Sequence, residues 1–162
     1  MSLLSLRYVP DPVLRRKARR ISALDTSVQR LIDDMLETMP AVYGVGLAAP
    51  QIGVSLRLAV IGLPEEEPIV LINPEIVKRS GERIVEEGCL SVPGYRGEIK
   101  RSQTVTVKAH DRRGKEVRFK GNELFAQALE HELDHLNGVL YIDHLESPDK
   151  LYEIETEEEP GL

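Results

Sequence analysis

At 162 residues, 41% apolar and 30% charged, the chain is long enough to bury a core and has the composition of a soluble globular protein. No apolar run approaches membrane-spanning length, and the opening Met1-Ser2-Leu3-Leu4-Ser5-Leu6 lacks the apolar centre of a signal peptide, so a cytoplasmic protein without membrane contact is expected. A net charge of −6 gives no global basic footprint and argues against DNA binding, and one cysteine, Cys89, excludes an intramolecular disulfide framework.

No repeat or low-complexity linker divides the chain, so one domain over residues 1–162 is expected, with an acidic tail from about residue 146. The basic cluster Arg15, Arg16, Lys17, Arg19 and Arg20 reads as a solvated surface segment. Asp25-Thr26-Ser27 is a helix cap, and Val28, Leu31, Ile32, Met35, Leu36 and Met39 follow the helical period until Pro40 ends the run. Gly44-Val45-Gly46-Leu47-Ala48-Ala49-Pro50-Gln51-Ile52-Gly53 is a small-residue segment that lets backbone approach a ligand closely. Residues 56–63 and 69–73 read as strands split by a charged turn. Around Cys89, glycine and proline suggest a loop or a bent strand end that presents its side chain. Residues 104–109 alternate, and 112–115 form a turn into a strand over 116–120. A helix over 122–137 follows, closed by Gly138. Short connections favour antiparallel pairing, and the fold class is α+β.

That last helix carries His131-Glu132-Leu133-Asp134-His135. Histidines four residues apart share a helical face, so one metal ion can take a nitrogen from each, and the glutamate between them stands where a general base for water belongs. Leu124, Ala128, His131 and His135 form one stripe, and Phe125, Leu129, Glu132 and Leu136 the next. Glu123, Gln127, Glu130, Asp134 and Asn137 form a polar side. The ligand candidates and the base candidate thus face the core, where a carboxylate and two imidazoles are costly unless something satisfies them.

A catalytic site of this kind needs a third protein ligand and one open position. In one protease group the pattern continues as H-E-x-x-H-x-x-G-x-x-H, but here Tyr141 stands at the last position and His144 comes three residues too late. Upstream, His110 lies beside a turn, whereas Cys89 offers a thiolate, the stronger ligand. Cys89 is therefore the favoured third ligand.

Three motifs together, Gly44-Val45-Gly46-Leu47-Ala48-Ala49-Pro50-Gln51, Glu87-Gly88-Cys89-Leu90-Ser91 and His131-Glu132-Leu133-Asp134-His135-Leu136-Asn137-Gly138, resemble the peptide deformylases in order and spacing. The likeness extends from Pro10-Asp11-Pro12 to about Leu145. It implies a compact domain with antiparallel sheets around a central helix. It implies a hydrolase of protein biosynthesis that removes the formyl group from N-formylmethionyl nascent peptides. It implies metal binding by Cys89, His131 and His135, acid/base work by Glu132, and oxyanion stabilisation by Gln51 and the Leu90 amide. The native ion would be Fe(2+), with Zn(2+), Ni(2+) or Co(2+) as substitutes. The peptide would lie along Val45-Gly46 and Pro93-Gly94, with Val45, Leu124, Ala128 and His131 walling the methionine pocket and Arg96 near the peptide backbone. Glu87 is expected to pair with Arg101 in support of the metal loop. Glu130 replaces a glutamine but falls on the polar side. Some relatives dock on the ribosome through a basic terminal helix; the acidic Glu153, Glu155, Glu157, Glu158 and Glu159 would be repelled by RNA, leaving only transient ribosome contact, and a monomer is expected. The rival readings are a metalloprotease and a metal-stabilised peptide-binding module.

Overall fold

The computed structural model describes residues 2–154. Asp25 opens helix α1 (Thr26–Ala41), its carboxylate accepting from the Val28 amide at 3.0 Å and satisfying one of the donors left open at a helix start. Val28, Ile32, Met35 and Met39 are buried at the anticipated helical spacing, and Pro40 lies inside the last turn, so the helix ends one residue beyond it.

Five strands, β1 (Gly46–Ala48), β2 (Leu58–Ile61), β3 (Ile69–Ser80), β6 (Thr104–His110) and β7 (Glu116–Asn122), form one antiparallel sheet in that order. Three more, β4 (Arg83–Cys89), β5 (Val92–Arg101) and β8 (Leu151–Glu153), form a second antiparallel sheet. Helix α2 (Glu123–Leu136) packs against the five-stranded sheet and touches β5. Alternation along β2 divides the core: Leu58 and Val60 pack with α1 residues Ile32 and Met35, while Ile61 packs with Ala128 and Leu129 of α2. The five-stranded sheet is thus covered on both faces, which is why all four β2 residues are buried. This is the expected α+β arrangement.

The strand of residues 56–63 contracts to β2, and that of 69–73 extends through β3 to Ser80. Pro74, which has no amide to donate, is passed by a register shift between Ile72 and Glu75. The β4–β5 hairpin is hidden in the sequence because two of its buried positions are Glu87 and Arg101, an ion pair where apolar residues would have revealed the strands. Residues 151–153 of the expected acidic tail are strand, paired with β5 at Tyr95↔Glu153; Glu155, Glu157, Glu158 and Glu159 lie outside the described residues.

One face of α2 differs from the helical-wheel reading. Gln127 and Glu130, placed on its polar side, are buried, and Leu124, placed on the inward stripe, is 42% exposed at the first turn. Glu130 is compatible with burial because it accepts from the Ser102 amide (2.7 Å), the Ser102 hydroxyl (3.0 Å) and Arg79 (3.0 Å). Gly138 follows the helix with φ +75°, the left-handed conformation that ends many helices.

Candidate metal centre

Cys89 is the last residue of β4, just after a register shift between Glu87 and Cys89 in the pairing with β5. Its Sγ lies 3.3 Å from His135 Nε2, which lies 3.0 Å from His131 Nε2, and all three ligand atoms fall within 4.8 Å of one another. A tetrahedral ion with bonds of ~2.0–2.3 Å places its ligand atoms ~3.3–3.6 Å apart, and the two contacts at His135, 3.3 and 3.0 Å, lie within a few tenths of an ångström of that range. The three residues are at most 5% exposed. Two imidazole nitrogens and a sulfur crowded together in a buried site need a shared cation or protons between them, and the donor set suits a borderline-soft divalent metal. His110, the other upstream candidate, ends β6 and is not in the cluster, and Tyr141 is buried in the core beside Cys89.

The tautomer of His131 is fixed from behind. His131 Nδ1 lies 2.6 Å from Glu87 Oε2 and so donates to it, leaving the Nε2 lone pair for the cluster. Glu87 is wholly buried and takes further bonds from Arg101 Nε (3.0 Å), Arg101 Nη2 (2.6 Å) and Gln127 Nε2 (3.1 Å). Burial alone would raise the Glu87 pKa; the charges and hydrogen bonds of His131 and Arg101 overcome it and hold the carboxyl down at about 2. The expected Glu87–Arg101 pair is present. Gln127 was missed, although its i, i+4 spacing to His131 put it on the ligand's flank.

Glu132 is wholly buried, and among the described residues neither of its oxygens has a hydrogen-bond partner. Burial pushes its pKa up to about 7 against the pull of His131. Gly46 of β1 makes room for it: a Cβ there would stand 2.3 Å from Glu132 Oε2. Gln51 sits in the 3₁₀ turn Ala49–Ile52 after β1, wholly buried. Its Oε1 accepts from the Ala48 amide at 2.9 Å, which orients Nε2 toward Ser91 Oγ (3.2 Å) and Cys89 Sγ (3.8 Å). Ser91, missed in the sequence, thereby holds the amide in place.

A cavity of about 300 Å³ opens beside the cluster, lined by Cys89, Leu90, Pro93, Gly94 and Arg96, with Tyr8 and Tyr43 among its walls. Arg96 Nε donates to Glu86 Oε1 at 3.0 Å. Val45 and Ala128 pack in the core under α2.

A family model described as polypeptide deformylase matches residues 3–151. The peptide deformylase of Dehalococcoides mccartyi (strain CBDB1) is 57% identical over 160 residues, covering 98% of this chain and 96% of its own length. The crystal structure of a peptide deformylase from Legionella pneumophila superposes with a TM-score of 0.88 at 51% identity, covering 92% of this chain and 89% of that one. That of Ehrlichia chaffeensis in complex with actinonin gives 0.89 at 40% identity, covering 93% and 92%. On its fold, its buried Cys/His/His cluster and these likenesses, the chain belongs to the polypeptide deformylase family, metal-dependent hydrolases that remove N-formyl groups from new peptides.

Proposed function

We propose that Cys89, His131 and His135 hold one divalent ion, Fe(2+) in the cell with Zn(2+), Ni(2+) or Co(2+) able to replace it, and that Glu132, Gln51 and the Leu90 amide carry out deformylation around it. The observation that supports this most is the convergence of three buried candidate ligand atoms beside a buried carboxylate with no partner among the described residues. Held by these three residues, the ion would supply Lewis acidity, which makes water more acidic and a carbonyl more electrophilic.

The protein's own groups account for the rest. Glu132 takes a proton from the attacking water as its oxygen bonds to the formyl carbon. As the C–N bond breaks, the same carboxyl gives that proton to the departing amine nitrogen, and formate leaves. Negative charge that builds on the formyl oxygen meets Gln51 Nε2, already aimed by the Ala48 amide, and the Leu90 N–H; one such donor is worth ~10²–10³ in turnover. The peptide lies extended along Val45-Gly46 and Pro93-Gly94 with Arg96 beside its backbone, and Val45, Leu124, Ala128 and His131 are proposed as walls for the methionine. The support for Arg96 is its place in the cavity lining with Cys89 and Leu90.

We further propose that the chain works as a monomeric single domain in the cytoplasm on formyl-methionyl nascent peptides, with only transient ribosome contact. No helix among the described residues is long and apolar enough to cross a membrane. Formate release from formyl-Met-Ala-Ser by anaerobically purified, Fe(2+)- or Ni(2+)-loaded protein tests the activity. Metal-loaded protein that releases none would sink it, and cleavage of unformylated internal peptide bonds would point to a protease instead.

A further inference from the structure

The buried Glu87–Arg101 pair behind His131 does not end at Arg101. The third nitrogen of the guanidinium, Nη1, donates to Asp134 Oδ2 at 2.8 Å, and the same oxygen accepts from His144 Nε2 at 2.8 Å. Every link in the line from His131 to His144 is therefore a contact of 3.0 Å or less. Exposure rises outward along it: the side chain of Arg101 is 3% exposed, Asp134 18% and His144 37%. The line starts on a wholly enclosed ligand and reaches solvent in the depression bounded by Lys100, Ser102 and His144.

We propose that Asp134 and His144 are positioning residues of the deformylase centre, holding His131 and His135 in register through the line His144–Asp134–Arg101–Glu87–His131. The proposal rests on the reading of Cys89, His131 and His135 as ligands. Two physical arguments carry it. First, charge: Arg101 is shared by two carboxylates, so Glu87, Arg101 and Asp134 together carry one excess negative charge, and a donor on Asp134 from outside offsets it. Without that donor the Asp134 carboxylate is less firmly placed, and Arg101 loses the anchor that aims its other two nitrogens at Glu87 and, through it, fixes the Nδ1–H of His131. Second, placement: Asp134 immediately precedes His135 on α2, so the atom that anchors Arg101 also anchors the turn carrying the second ligand. His144 ends the 3₁₀ turn Tyr141–His144, which packs against β5, and so ties the returning chain to α2.

The experiment follows the His131 Nδ1–H proton by NMR in metal-free protein labelled with ¹⁵N, together with Co(2+) affinity and steady-state kinetics. The variants are His144→Phe, His144→Gln and Asp134→Asn. In the native protein the Nδ1–H resonance is sharp and far downfield. In His144→Phe and Asp134→Asn it moves upfield or broadens by solvent exchange, Co(2+) affinity falls about tenfold or more, and kcat falls with KM unchanged. His144→Gln, whose amide can still donate to Asp134, restores all three. His144→Phe with a native resonance and native Co(2+) affinity overturns the proposal, and because His144 is near the surface this arm stands even if Asp134→Asn fails to fold. The ligand reading fails separately: Cys89→Ala that binds Co(2+) as tightly as the native protein overturns it, whatever the resonance shows.

Discussion

Glu132, the proposed acid/base, illustrates how surroundings set a side chain's protonation: burial pushes its pKa up to about 7. Its two oxygens have no protein partner among the described residues, a free-energy cost that is characteristic of groups retained for chemistry. Glu132→Gln keeps shape and removes the proton carrier, so metal content should be native by elemental analysis while turnover falls by ~10²–10⁴. Cys89→Ala should instead lose the metal, as the same measurement shows directly. Gly46→Ala tests the space around the carboxylate. A Cβ 2.3 Å from Oε2 must displace Glu132, and a shift of this order costs ~10² in kcat, measured by formate release, with circular dichroism unchanged. At this scale the sequence was most readable. His131, Glu132 and His135 stand out by their spacing, Cys89 by its glycine-framed setting and thiolate chemistry, and the Glu87–Arg101 pair by the resemblance to the family. Ser91 and Gln127 were not, because their work is to hold another side chain and their own chemistry is unremarkable.

Among the elements, α2 departs furthest from a simple amphipathic helix. Ten of its fourteen residues are buried, and two of these, Gln127 and Glu130, belong to the side that the helical wheel assigned to solvent. The wheel counts polarity but not partners: Gln127 is met by Glu86 and Glu87, and Glu130 by Ser102 and Arg79. The β4–β5 hairpin was concealed by the same physics, since hydrogen-bonded charge took the place of apolar residues in the alternation. By contrast α1, with its Asp25 cap and aliphatic stripe, was read nearly to the residue. The close of α2 gives an element-scale test. Gly138 has φ +75° and an added Cβ would stand 2.5 Å from the Arg15 carbonyl oxygen, so Gly138→Ala should lower unfolding free energy by about 1–3 kcal/mol in urea titrations.

Viewed whole, the protein places its three proposed ligands on opposite sides of a seam. Cys89 belongs to the three-stranded sheet, while His131 and His135 ride on a helix packed against the five-stranded sheet. A metal ion bound by all three therefore clamps the two sheets together. Ions that bind the folded chain and not the unfolded one stabilise it by mass action, about 2.7 kcal/mol at a free concentration a hundred times Kd. Removing the metal with a chelator should lower the thermal midpoint in calorimetry and abolish turnover, and adding Ni(2+) or Co(2+) should restore both. An unchanged midpoint would mean that the seam is held by packing alone. The fold class was legible from hairpin-length connections and two helical periods. The division into two sheets was not, because it depends on which strands pair, and pairing is decided by tertiary contacts that no local pattern records.

The missing side chain at Gly46 also bears on how copies of this protein can be told apart. A chain may keep the whole His-Glu-x-x-His helix and the cysteine, and so appear competent from its ligands alone. If a side chain stands at the position of Gly46, the carboxylate between the histidines must give way to it. That one position on β1, distant in sequence from the proposed ligands, would mark such a copy as one that keeps its metal and turns over slowly.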